Sequence, residues 1–95
     1  MTSYSTLLKQ IEKAGIEPSD TVMIHSSLRA VGEVEGRAEG FITAFREYLS
    51  NGLLLIPTHT WANVNKESPV FGVRKTEPCI GALPRVAAFH KDAFR

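Results

Sequence analysis

Two polar segments hold the side chains with chemistry to offer. In His25-Ser26-Ser27-Leu28 an imidazole and two hydroxyls follow the run Thr21-Val22-Met23-Ile24. Hydroxyls and successive backbone N–H groups at such a place can hold a phosphate. In Pro57-Thr58-His59-Thr60-Trp61 a hydroxyl, a second imidazole and an indole follow the run Leu53-Leu54-Leu55-Ile56. Ligands of open α/β sheets bind outside the carboxyl ends of the strands, which makes Thr58, His59 and Trp61 candidate substrate contacts. A polar strand end, a solvated His59 and a Trp61 capping the core account for the same residues without a ligand.

A third segment, Gly32-Glu33-Val34-Glu35-Gly36-Arg37, precedes a helix. Its glycines permit positive φ and a close approach to the backbone, and a helix start offers N–H groups to an anion. It is neither a Walker A loop nor a dinucleotide fingerprint. Glu33 and Glu35 repel a phosphate unless their side chains turn away, so the pattern alone favours a plain loop before a helix. His25, His59, His90 and Cys79 lack the spacing of a metal site, and no metal is expected. Cys79 as a nucleophile requires a nearby base. His90 falls on the apolar face of its helix, the place of a core histidine with its hydrogen bonds satisfied.

The elements that position these segments follow from periodicity. Tyr4, Leu7, Leu8, Ile11 and Ala14 recur at helical spacing, which predicts an amphipathic helix over residues 4–14 stopped by Gly15. Residues 21–24 and 53–56 are apolar at consecutive positions and are predicted to be strands covered on both faces. Phe41, Ile42, Phe45, Tyr48 and Leu49 stripe a helix over about residues 37–49, with a stop at Asn51-Gly52. Strand, loop, helix and strand then form one βαβ unit with a right-handed parallel crossover. Residues 61–78 show no period and are expected to be a long loop, of a length that is usually functional or disordered. A further helix is predicted over about residues 81–90, with Pro84 in its first turn. Two strands do not make an independent sheet. The strands either pair with another chain or belong to the N-terminal piece of a longer fold, and the second is the expectation here.

The 95 residues are enough for one small domain. Eleven basic against 10 acidic residues leave a net charge of +1, which gives no electrostatic case for a nucleic-acid partner. A single cysteine excludes an internal disulfide and suits a reducing compartment. The N-terminus lacks the pattern of a signal peptide. The longest apolar run, Leu53 to Pro57, is far short of a membrane span. The expectation is a cytoplasmic protein with no membrane partner; oligomeric state is unknown from these features.

Taken together, several segments resemble the aminoglycoside N(3)-acetyltransferases. They are Asp20 to Leu28; Val31-Gly32; Val34-x-Gly36-x-Ala38-Glu39; Gly52-x-Leu54-x-x-Pro57-Thr58-His59-Thr60-Trp61; and Thr76-x-Pro78-Cys79-x-Gly81-Ala82-Leu83. They cover nearly the whole chain in the family's order. The resemblance implies an α/β/α sandwich, of which residues 1–95 are an incomplete N-terminal portion holding one βαβ unit and flanking helices. It implies transfer of acetyl from acetyl-CoA to the 3-amino group of a 2-deoxystreptamine aminoglycoside. It places Ser26, Ser27, Leu28, Val34 and Gly36 in the coenzyme cradle, and Thr58, His59 and Trp61 along the same cleft. Arg37 stands where members often carry a second glycine, as a cation able to meet a CoA phosphate or as a solvated side chain. Arg95 takes the place of the arginine in the family's Arg-Ser-x-His-Pro segment. The family's catalytic histidine and its acidic partner come later, so no catalytic residue is expected within 1–95. An inactive truncated product, or a CoA- or nucleotide-binding module without catalysis, is the alternative.

Overall fold

The structure is a computed structural model that describes residues 1–25, 27–79 and 81–95, with the Leu28 side chain also outside the description. Helix α1 (Tyr4–Lys13) opens the fold. The Ser3 hydroxyl caps it by accepting the Thr6 N–H at 3.2 Å, and Gly15 turns the chain away with φ of 90°. Strand β1 (Thr21–Met23) follows, then α2 (Leu28–Val31), α3 (Arg37–Tyr48), β2 (Leu53–Leu55) and α4 (Ala82–Ala88). The strands pair in parallel, Thr21 opposite Leu53, Val22 opposite Leu54 and Met23 opposite Leu55. The βαβ unit expected from the sequence is therefore present.

Helix α3 is the centre of the core. Its Ala38, Phe41, Ile42, Ala44 and Phe45 are buried with Leu7 and Ile11 of α1 and Leu83 of α4. The Phe41 and Phe45 rings meet at 5.1 Å in a tilted pair, a favourable arrangement of ring quadrupoles. Val22 and Leu54 pack half-buried against this cluster.

Two glycines permit backbone approaches that no side chain would allow. A Cβ on Gly40, inside α3, would lie 1.9 Å from the Glu35 carbonyl oxygen. A Cβ on Gly52 would lie 2.1 Å from the Asp20 carbonyl oxygen, which accepts the Leu53 N–H at 3.1 Å and so starts the parallel ladder. Gly52 is thus part of what sets the register.

Three expectations are corrected. The strands are not covered on both faces: Met23, Leu53 and Leu55 are 64%, 53% and 38% exposed. The helices give Val22 and Leu54 a cover, whereas the alternate side chains of each strand point to the opposite face. Residues 28–31, within the loop expected between the first strand and the following helix, form the short helix α2. The last helix is shorter than predicted, because Phe89 takes φ of −101° and leaves the helical conformation. Residues 61–78 carry neither helix nor strand, as expected. They are held instead by local bonds, including Ser68 N–H to Asn65 Oδ1 at 3.0 Å and Gly72 N–H to Thr76 Oγ1 at 2.7 Å.

Candidate functional site

Parallel pairing brings the carboxyl ends of β1 and β2 to one rim. Met23 lies opposite Leu55, so the two polar segments leave the sheet side by side. The His25 and His59 rings meet there, 5.9 Å between centres and tilted by 46°. This meeting of rims is what the strand order predicts. His25 was legible in the sequence only as part of its Ser-rich segment; the register alone makes it a partner of His59.

Each rim is tied down by its own backbone. The Ser27 hydroxyl and carbonyl both accept the Ala30 N–H at 3.1 Å, and the carbonyl accepts the Val31 N–H at 3.2 Å. Ser27 therefore caps α2, and its oxygen is already engaged there. On the other rim the His59 carbonyl accepts the Cys79 N–H at 2.8 Å, while Asn63 Nδ2 donates to the Glu77 carbonyl at 2.6 Å. These bonds fasten residues 77–79 against the loop that carries Thr58, His59 and Trp61. Thr58 is half-buried, His59 is exposed, and Trp61 is 66% exposed. Trp61 is thus turned outward rather than capping the core. Ser26 lies outside the described residues, as does the Leu28 side chain.

The turn before α3 is built differently from a free loop. The Arg37 N–H donates to the Val34 carbonyl at 2.9 Å across Gly36, whose φ of 77° and ψ of 2° are those of the third residue in a type II turn. The Val34 side chain is buried in the core, which leaves only its backbone to meet a ligand. Thr2 bridges this segment, its N–H donating to Glu33 and its carbonyl accepting from Glu35, both at 2.8 Å. The Glu35 carboxylate accepts the Tyr4 N–H at 3.2 Å. It is thereby drawn to the positive end of α1 and away from any anion at the turn. Arg37 is exposed, with φ of 55°.

His90 lies two residues beyond the end of α4, not on the helical face that the spacing predicts. Its side chain is 9% exposed, its Nε2 faces Glu39 Oε1 at 3.5 Å, and its Nδ1 accepts the Asp92 N–H at 3.2 Å.

The profile of the aminoglycoside 3-N-acetyltransferase family matches residues 23–95. The chain is 30% identical over 77 residues to an aminoglycoside N(3)-acetyltransferase III from Serratia marcescens, covering 81% of this chain and 29% of that protein. It is 30% identical over 74 residues to a protein of the same name from Acinetobacter baumannii, covering 78% of this chain and 26% of that one. The chain thus spans less than a third of the curated relatives it matches. Among solved structures it resembles the aminoglycoside acetyltransferase AAC(3)-IVa apoenzyme, with a TM-score of 0.77 at 22% identity over 93% of this chain and 34% of that one. It also resembles the YokD protein from Bacillus subtilis, with a TM-score of 0.77 at 17% identity over 94% of this chain and 43% of that one. These two likenesses concern the fold. Among the described residues, no helix is long and apolar enough to cross a membrane.

Proposed function

Because the chain belongs to the aminoglycoside 3-N-acetyltransferase family, we propose that residues 1–95 form the coenzyme side of an enzyme that acetylates the 3-amino group of a 2-deoxystreptamine aminoglycoside. The observation that carries this reading is the His25–His59 rim at the carboxyl ends of two parallel strands, the place where α/β sheets take their ligands.

Acetyl-CoA fits this rim by its chemistry: it brings phosphates, amides and a thioester, and the rim offers hydroxyl, imidazole and backbone donors. When bound, it supplies the acyl group as an activated thioester. In this reading Ser26, Ser27 and Leu28 approach it from the first rim. Gly36 presents its turn without a side chain, and Arg37 offers a cation to a phosphate. Thr58, His59 and Trp61 line the amine side of the same cleft. An aminoglycoside amine is nucleophilic only when deprotonated, so a general base must take its proton. That base and its acidic partner belong, in this reading, to the two-thirds and more of the relatives' length that this chain does not span. The 95 residues are accordingly proposed to bind CoA without turnover. The cytoplasm, where acetyl-CoA is made and used, is the proposed compartment, and the unpaired Cys79 suits it.

Two measurements test the reading. Titration of the 95-residue chain with CoA, followed by amide NMR, is expected to move residues 25–28 and 58–61 saturably, whereas ATP and NAD do not. A polypeptide that includes these residues and the full family length is expected to acetylate kanamycin or gentamicin with acetyl-CoA. No turnover of any aminoglycoside amine by such a protein removes the proposal.

A further inference from the structure

Glu35 is fixed by two elements at once. Its N–H donates to the Thr2 carbonyl, and the Thr2 N–H donates to the Glu33 carbonyl, both at 2.8 Å. Its carboxylate accepts the Tyr4 N–H at 3.2 Å. Its carbonyl oxygen lies so close to the first turn of α3 that a Cβ on Gly40 would stand 1.9 Å from it. The side-chain contact answers a need of α1. That helix has no acidic residue in its first turn, and the N–H of Tyr4, its first residue, has no acceptor inside the helix. Glu35 supplies an acceptor and the negative charge that a helix start favours, from 31 positions along the chain.

The turn held in this way is strained. Gly36 has φ of 77° and Arg37 has φ of 55°, so two consecutive residues stand in the left-handed region. For an arginine that conformation is unfavourable, and it persists where the neighbours over-determine it. Val34 and Ala38 are buried on either side of the turn. Between them, Glu35 carries the tie to the start of α1.

We propose that Glu35 is a positioning residue for the coenzyme: by tying the turn to the start of α1, its carboxylate holds Arg37 in the left-handed arrangement from which the guanidinium meets a CoA phosphate. The inference rests on the coenzyme reading above, and it gives Glu35 no contact with the coenzyme. It reverses the role that charge alone gives this residue. A carboxylate that only repels a phosphate lowers affinity, and its removal tightens binding. A carboxylate that sets the turn does the opposite.

The test is a CoA titration of the 95-residue chain followed by amide NMR, with the φ of Arg37 read from its couplings. Glu35→Ala is expected to weaken CoA binding about fivefold, because part of the population leaves the competent turn, and to move Arg37 toward negative φ. Glu35→Gln keeps an oxygen for the Tyr4 N–H and is expected to hold affinity within about twofold of the unaltered chain. Tyr4→Pro removes the same hydrogen bond from its other partner, at a helix position that accepts proline, and is expected to weaken CoA as Glu35→Ala does. In an Arg37→Gly background, where glycine adopts the turn unaided, Glu35→Ala is expected to weaken CoA no further. A role confined to fold stability does not give that last result, because its loss weakens both backgrounds alike. Equal CoA affinity of Glu35→Ala and the unaltered chain overturns the inference and leaves the coenzyme reading standing. Tighter binding by both Glu35 variants makes the residue a repelling charge and overturns it too. No saturable CoA shift in the unaltered chain removes the coenzyme reading and this inference with it.

Discussion

Arg37 holds φ of 55° at the first position of α3, a conformation that costs an L-residue roughly 1–2 kcal/mol. Glycine adopts it freely but loses about 0.5–1 kcal/mol of backbone entropy on folding. Arg37→Gly is therefore expected to raise stability by about 0.5 kcal/mol in urea titrations. The same variant separates two roles. If the guanidinium meets a CoA phosphate, CoA binding weakens while stability rises; if the side chain is only solvated, affinity is unchanged. Three residues on, Gly40 admits no substitution of this kind. A Cβ 1.9 Å from the Glu35 oxygen must push the turn away from α3, so Gly40→Ala is expected to cost at least about 2 kcal/mol. An unchanged urea midpoint for that variant would mean the turn yields freely.

Among the elements, α1 and α3 are tied to their surroundings by two phenols. The Tyr4 hydroxyl donates to the Glu47 carboxylate, joining α1 to α3. The Tyr48 hydroxyl donates to the Ile16 carbonyl, joining α3 to the chain after α1. Both phenols are raised above the ordinary value of 10.0. For Tyr4 the hydrogen bond to Glu47 is the main cause, followed by desolvation and the Glu47 charge. For Tyr48 it is desolvation, then the charges of Glu12, Asp20 and Glu17. A raised pKa means the folded state holds the proton more tightly than the unfolded state. The contribution is full below pH 10 and is lost as pH rises through the folded values. Urea midpoints are expected to fall between pH 9 and 12, and the double variant Tyr4→Phe, Tyr48→Phe is expected to flatten that fall. At the start of α1, Ser3→Ala removes the cap on the Thr6 N–H and is expected to cost about 1 kcal/mol, read as a lower thermal midpoint.

Across residues 1–95 the sheet is the least covered layer. Helices cover Val22 and Leu54, while Met23, Leu53 and Leu55 face outward. The two faces should respond differently to substitution. Leu83→Ala, at a fully buried position, is expected to cost about 2–5 kcal/mol. Leu53→Thr, on the open face, is expected to change stability by less than about 0.5 kcal/mol and to raise solubility, since an apolar exposed strand invites association. Equal costs at the two positions would show that the open face is covered in solution.

Helices α1 and α3, the parallel βαβ unit, the irregular 61–78 segment and the nearness of the two polar rims were all legible in the sequence. Each rests on a local signal: apolar periodicity, turn residues, or the order of strands and helices. The rest depended on distance. Helix α2 is too short for a period and exists because Ser27 caps it. The need for glycine at positions 40 and 52 comes from carbonyls of Glu35 and Asp20 that pass within 1.9 and 2.1 Å of where a Cβ would sit. The pairing of His25 with His59 comes from the register set beside Gly52. Burial of the strands was misjudged for the same reason. Consecutive apolar residues state what a strand can bury, and only the three-dimensional arrangement decides which face receives a cover.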